Sequence, residues 1–172
     1  RTRQEAVPAG AGAMAAILGL EDADVEQACA DAAQGGVAEA VNYNAPGQVV
    51  IAGDSAAIQR AIDACKARGA KRAIALPVSV PSHSSLMRGA GERLGEFLKS
   101  VELRAPRITY VSAVDAAPHA DPDDIRALLV RQLSSPVRWA GTVSKLIADG
   151  VTRIVECGPG KVLTGLNRRI ER

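Results

Sequence analysis

The chain has 172 residues, enough for one ordinary domain or for two small lobes that share a core. Its 47% apolar content predicts a packed globular protein, and its 2% aromatic content argues against single-stranded nucleic-acid binding, which depends on aromatic stacking. A net charge of +2 gives no sign of a nucleic-acid partner, and no apolar run approaches the roughly 20 residues that span a bilayer.

Residues 8–80 predict two similar β-α-β halves, which together give the order β-α-β-β-α-β. Strands are expected at residues 13–19, 37–44, 48–53 and 71–79. Apolar residues at the spacing i, i+3, i+4, i+7 predict the two helices between them, at Val25, Ala28, Cys29 and Ala32 and at Ile58, Ala61, Ile62 and Cys65. This order is typical of a ferredoxin-like lobe, so we expect residues 8–80 to form one small subdomain.

Residues 81–172 show a different alternation of helices and strands. Helices are expected at 84–99, 123–133, 138–149 and 161–170, and strands at 107–114 and 151–157. Such alternation indicates parallel pairing and part of an α/β layer. A two-stranded sheet is marginal by itself, so we expect further strands to lie outside this sequence.

Three cysteines, Cys29, Cys65 and Cys157, lie far apart and form no CxxC pair. Their odd number and spacing indicate reduced thiols in a cytoplasmic protein and predict no metal site. Cys29 and Cys65 fall on apolar helix faces and are interpreted as core residues. Cys157 is interpreted as a buried thiol at a strand end, with a nucleophile as the alternative.

The stretch VPSHSSLM, residues 80–87, places His83 between a predicted strand and a predicted helix. The partial positive charge at a helix N-terminus keeps an imidazole neutral, as a general base requires. A structural histidine is the alternative. The neighbouring Ser82 and Ser84 are interpreted as helix caps, and no GxSxG elbow supplies a serine nucleophile.

Three further motifs allow two interpretations each. The stretch GPGKVLTG lacks the Walker A spacing, so we interpret it as a tight turn, with anion binding at the following helix as the alternative. Turn chemistry explains Asn44, whereas Gln48 at the start of a buried strand is less easily explained. A cationic cluster is either a solvated helix end or a surface that steers an acidic partner. Its members are Lys66, Arg68, Lys71 and Arg72.

Five long stretches carry a family resemblance that covers nearly the whole chain. They are QEAVPAGAGAMAAILGL, VNYNAPGQVVIAG, CKARGAKRAIALPVSVPSHSSLM, LVRQLSSPVRW and VECGPGKVLTGLNRRI. Together, and in this order, they closely resemble the bacterial malonyl-CoA:acyl-carrier-protein transacylase family. The resemblance implies a ferredoxin-like lobe inserted in an α/β-hydrolase-like acyltransferase lobe, with residues 81–172 as the C-terminal part of the larger lobe.

The resemblance also implies a ping-pong reaction. A serine takes malonyl from coenzyme A and passes it to the phosphopantetheine thiol of an acyl carrier protein, in fatty-acid or polyketide synthesis. His83 matches the catalytic histidine, and Gln132 matches the residue whose main-chain carbonyl orients it. The substrate-cleft positions are Ser82, Asn44 and Gln48. The cationic cluster at 66–72 is then a hypothesis for docking of the acidic carrier protein.

This sequence departs from the family pattern in two features. The serine elbow lies upstream of the family stretches that match, so we predict that this chain alone is inactive. The arginine that grips the malonyl carboxylate falls near Arg1, with Arg3 as the weaker candidate. We expect malonyl-CoA as substrate, no bound cofactor, a cytoplasmic location and a monomeric intact protein. The alternatives are another acyl specificity or a non-catalytic ligand-binding or regulatory module.

Overall fold

A four-stranded sheet organises the first part of the computed structural model, which describes residues 10–78 and 80–171. Its strands are β1 (Gly12–Leu18), β2 (Ala38–Ala45), β3 (Gln48–Asp54) and β4 (Arg72–Ala75). They lie in the order β2-β3-β1-β4, and every neighbouring pair is antiparallel. The predicted ferredoxin-like order is therefore confirmed.

Helices α1 (Asp22–Ala33) and α2 (Ser55–Ala67) cover one face of this sheet. Both predicted apolar stripes are buried there, packed against alternate residues of β1 and β3 such as Ile17 and Ile51. Cys29 and Cys65 lie in this core, as predicted. Burial raises the pKa of the Cys29 thiol to about 12, so this thiol is a packing group and not a nucleophile at neutral pH.

Strand β4 ends earlier than the sequence predicts. The amide of Leu76 still donates to the carbonyl of Met14 on β1, at 2.9 Å. Pro77 follows and has no N–H, so the ladder cannot continue through it. The predicted end of this strand, at residue 79, lies outside the described residues.

The second part of the chain is mostly helical. Its helices are α3 (Arg88–Leu98), α4 (Pro122–Arg131), α5 (Trp139–Ala148) and α6 (Val162–Ile170), with a hairpin of β5 (Tyr110–Ser112) and β6 (Ala117–His119). A 3-10 turn at Ser85–Met87 leads directly into α3, and a second at Gln132–Ser134 follows α4. None of the helices within the described ranges is long and apolar enough to cross a bilayer.

The parallel pairing expected for residues 81–172 does not form within the part of the chain that the structure describes. The strand predicted at 107–114 shrinks to β5, which pairs with β6 in antiparallel fashion. Residues 151–157 form no strand, because within 10–78 and 80–171 no neighbouring strand pairs with them. Their apolar side chains, including Ile154 and Val155, are therefore exposed. The division into subdomains 8–80 and 81–172 stays a prediction.

The edge strand β2 of the sheet is hydrogen-bonded to the second part of the chain. Val137 forms a parallel bridge with Asn42 of β2. The amide of Tyr43 donates to the Val137 carbonyl at 2.9 Å, and the Val137 amide donates to the Val41 carbonyl at 2.9 Å. The segment after the second 3-10 turn is thereby fixed to β2.

Candidate active site

The imidazole of His83 lies against the main chain of Gln132. Its Nδ1 atom is 2.7 Å from the Gln132 carbonyl oxygen. Because a carbonyl oxygen can only accept a hydrogen bond, Nδ1 carries the proton and donates it. Nε2 is then the basic nitrogen of the neutral ring. The contact therefore selects the tautomer that a general base acting through Nε2 needs.

The backbone of His83 is in the left-handed region, with φ of +68°. A side chain with a Cβ atom pays roughly 1–2 kcal/mol for this conformation. The residues on either side are anchored, since Pro81 and Ser84 are buried and the Ser84 hydroxyl donates to the Pro81 carbonyl at 2.7 Å. Strained residues held by a rigid surround are typical of functional sites.

The serines beside His83 do not cap the helix as predicted. The Ser84 hydroxyl donates backwards to the Pro81 carbonyl, and it accepts no hydrogen bond from the amides of the following turn. Ser82 is half-buried, and its amide donates to the Val80 carbonyl at 2.8 Å. Both serines therefore sit in the tight turn that presents His83, and the cleft role of Ser82 stays a prediction.

The Gln132 carbonyl is held in place from two directions. Gln132 begins the second 3-10 turn, and the adjacent Leu133 is buried against Met87 and Ala90. Further along the chain, Val137 is bonded to β2. The acceptor for His83 is thus part of a segment fixed both to α3 and to the sheet.

Glu39 is a residue near the site that sequence reasoning missed. Its two carboxylate oxygens accept from the amide and the hydroxyl of Ser85, each at 2.7 Å. These partners are 46 residues apart in the chain, so no local motif marks the contact. The alternation of β2 gives one signal, because Glu39 lies between Ala38 and Ala40 of the core and must point to the other face.

The predicted cleft residues Asn44 and Gln48 lie at the far end of β2 and at the start of β3. The Gln48 side-chain oxygen accepts from Nη1 of Arg169 on α6, at 2.6 Å. Asn44 is half-buried. The hydrogen bonds of the described residues thus join His83 to Gln132, and Gln48 to Arg169. Arg1 lies outside the described residues.

Comparison with known proteins decides the family. The sequence profile of the acyl transferase domain matches residues 1–169 of this chain. The chain belongs to the acyl transferase domain family. The resemblance found in the sequence is therefore confirmed.

This acyl transferase domain is similar to several bacterial enzymes. The malonyl CoA-acyl carrier protein transacylase of Escherichia coli K12 is 54% identical over 167 residues, which are 97% of this chain and 54% of that protein. A crystal structure of an acyl carrier protein S-malonyltransferase from Vibrio cholerae superposes with a TM-score of 0.98 at 54% identity, covering 99% of this chain and 56% of that one.

A third relative is solved with a partner. It is a malonyl-transacylase in complex with a type II PKS acyl-carrier protein, with a TM-score of 0.97 and 49% identity, covering 99% of this chain and 55% of that one. This chain thus spans about half the length of the relatives that it matches.

The cationic cluster of the acyl transferase domain lies at the end of α2 and the start of β4. All four side chains belong to exposed residues, which are Lys66, Arg68, Lys71 and Arg72. Two of them have acidic partners from outside the stretch. Arg68 forms a salt bridge with Asp31 of α1, and Lys66 lies 3.7 Å from Asp63.

The turn GPGK leads into α6, whose N-terminus already holds a carboxylate. Glu156 accepts from the Thr164 hydroxyl at 2.7 Å, from the Thr164 amide at 2.9 Å and from the Leu163 amide at 3.1 Å. These hydrogen bonds, that of the Thr164 hydroxyl first, lower the pKa of Glu156. Anion binding at this helix is therefore disfavoured, and the turn is structural.

Two further predictions concern thiols and metals. Cys157 is exposed, so its interpretation as a buried thiol is wrong; the strand meant to bury it is not formed. Within residues 10–78 and 80–171, no three side chains of His, Cys, Asp or Glu converge as a metal site would need.

Proposed function

We propose that this acyl transferase domain is part of an enzyme that moves malonyl from coenzyme A to the phosphopantetheine thiol of an acyl carrier protein. The observation that carries the proposal is the 2.7 Å contact between Nδ1 of His83 and the Gln132 carbonyl. Relatives named malonyl CoA-acyl carrier protein transacylase support the substrate and the acceptor. The reaction belongs to fatty-acid or polyketide synthesis.

In the first half-reaction, His83 acts as the base for a serine outside these 172 residues. Nε2 takes the serine proton while the serine oxygen attacks the thioester carbonyl. When the tetrahedral intermediate collapses, the C–S bond breaks and the imidazolium returns its proton to the coenzyme A thiolate. Malonyl is then held on the serine as an ester.

In the second half-reaction the same atoms work in reverse. The carrier-protein thiol gives its proton to Nε2 of His83 and attacks the malonyl ester, and the serine oxygen recovers the proton as it leaves. The Gln132 carbonyl keeps the ring in one tautomer throughout. A neutral acceptor stabilises the imidazolium less than a carboxylate does, so orientation is its main contribution.

Four further residues are proposed to bind substrate. Ser82, Asn44 and Gln48 line the acyl cleft, and Arg1 holds the malonyl carboxylate through the paired N–H groups of its guanidinium. The cationic cluster at 66–72 is proposed to dock the acidic carrier protein. The relative solved with an acyl-carrier protein supports a partner of this kind.

A full-length chimera tests the proposal, made by putting this sequence in place of its equivalent in the Vibrio cholerae relative. We expect malonyl transfer to carrier protein with ping-pong kinetics and a malonylated enzyme intermediate. If the chimera preferred another acyl-CoA, the proposed substrate would change from malonyl-CoA to that thioester. Binding without transfer would contradict the proposal and favour a non-catalytic module. The 172-residue chain alone is expected to show no transfer, because it lacks the serine elbow.

A further inference from the structure

The carboxylate of Glu39 ties the turn that bears His83 to the edge strand of the sheet. Ser85 is two residues after His83 and begins the 3-10 turn that continues into α3. Both carboxylate oxygens of Glu39 are used, one by the Ser85 amide and one by its hydroxyl, at 2.7 Å each. Hydrogen bonds to a carboxylate are about twice as strong as neutral ones, so this is a firm attachment.

Strand β2 also holds the acceptor of the His83 hydrogen bond. Val137, five residues after Gln132, exchanges hydrogen bonds with Val41 and Tyr43 of β2. The base is thus attached to β2 through Glu39, and its acceptor is attached through Val137. One strand therefore sets the separation between the imidazole and the carbonyl that orients it.

The strained backbone of His83 makes this attachment important. At φ of +68° the residue is not in its preferred conformation, so the turn would relax if one of its anchors were lost. The hydrogen bond from the Ser84 hydroxyl to the Pro81 carbonyl stabilises the turn internally. The hydrogen bonds between Glu39 and Ser85 attach the turn to β2 of the sheet.

We propose that Glu39 is a positioning residue: its carboxylate holds Ser85 so that Nε2 of His83 stays aimed at the reacting oxygen. The inference rests on the proposed function and adds a residue to it. Glu39 does not exchange a proton with substrate. It acts through Ser85 and the turn, so its loss changes the geometry of the base and leaves the substrate contacts in place.

Kinetics of the full-length chimera separate this role from a structural one. Glu39→Ala is expected to lower kcat roughly 10- to 100-fold with the KM for malonyl-CoA unchanged, because a small misplacement of a catalytic group costs about this much. Ser85→Ala keeps the amide and loses only the hydroxyl, so its loss is smaller. The double variant is expected to have the same kcat as Glu39→Ala, because both substitutions act on the same attachment between Glu39 and Ser85.

Glu156 provides a matched control, since it caps α6 with the same pair of donors, a backbone amide and a hydroxyl. Glu156→Ala is expected to lower the denaturation midpoint and to keep kcat. A second readout is the proton NMR signal of Nδ1–H of His83, assigned by its loss in His83→Gln. This signal is expected to shift or broaden in Glu39→Ala and to stay unchanged in Glu156→Ala.

The outcomes distinguish this inference from the proposed function. If the unaltered chimera transfers malonyl and His83→Ala abolishes transfer, the proposed function stands. Wild-type kcat and an unchanged Nδ1–H signal in Glu39→Ala would then overturn the role of Glu39 alone. A matching fall in the folded fraction and in the rate, with kcat per folded molecule unchanged, would also overturn it.

Discussion

The side chain of His83 is oriented by the main chain of Gln132: Nδ1 donates to the carbonyl oxygen at 2.7 Å. The acceptor is therefore fixed by backbone conformation, through the second 3-10 turn, and is independent of which residue stands at this position. In the usual catalytic triad the equivalent acceptor is a carboxylate side chain.

This relationship predicts that the side chain at position 132 is dispensable. Gln132→Ala keeps the carbonyl, and alanine is a good helix former, so kcat in the full-length chimera should stay within about twofold of wild type. Steady-state kinetics with malonyl-CoA and carrier protein measure it. A loss of tenfold or more would show that the amide side chain takes part.

The left-handed backbone of His83 predicts that glycine at this position gives a more stable protein than alanine. Glycine adopts φ of +68° at no steric cost, whereas alanine keeps the strain. His83→Gly should therefore be more stable than His83→Ala by roughly 1 kcal/mol, although both lack the base. Urea denaturation of the two variants compares their midpoints. Equal midpoints, or a less stable glycine variant, would contradict the strain.

The lowered pKa of Glu156 predicts a pH-dependent contribution to stability. A depressed pKa in the folded state means that the ionised carboxylate favours folding, so the contribution is present above the ordinary pKa of glutamate and is lost as the pH falls through the folded value. Thermal melting of wild type and Glu156→Gln should differ most near neutral pH and converge in acid. Thr164→Val removes the largest cause of the shift and should narrow the neutral-pH difference. If the difference in melting temperature between wild type and Glu156→Gln stayed constant with pH, this prediction would be wrong.

The cationic cluster predicts a selective effect on the carrier protein. Reversing Lys66, Arg68, Lys71 and Arg72 should raise the KM for carrier protein roughly tenfold and leave the KM for malonyl-CoA unchanged. Reversing Arg68 singly should have the smallest docking effect, because Asp31 already neutralises it. Lys99→Glu, directly after α3, is the control, since this lysine pairs with Glu96 in an ion pair that is more exposed than the pairs of Arg68 and Lys66. If the fourfold reversal leaves both KM values unchanged, the cluster is only a solvated helix end.

The sequence predicted the first sheet and its two helices well, because their patterns are local and repeated. The apolar stripes of α1 and α2, including Cys29 and Cys65, are buried as the spacing indicated. A strand depends instead on a neighbour that the pattern does not reveal. Residues 151–157 have the composition of a strand but no pairing within the described residues, so they form no strand and are mostly exposed.

The candidate site was only partly predictable for a similar reason. His83 stands out because histidine is rare in this chain, with two copies, and because it lies between a strand and a helix. Glu39 and Arg169 contact their partners across 46 and 121 residues, and no spacing rule connects residues so far apart. These contacts exist only once the first sheet has packed against the second part of the chain, which supplies Ser85 and Arg169.

The most direct test compares the two histidines of the chain in the full-length chimera. His83→Gln should lower kcat for malonyl transfer roughly 10²- to 10⁴-fold, the usual contribution of a general base, with little change in KM. His119, which pairs with Asp115 within the hairpin β5–β6, supplies the matched control, and His119→Gln should keep wild-type kcat. If His83→Gln retained wild-type kcat, His83 would not be the base and the central claim would be wrong.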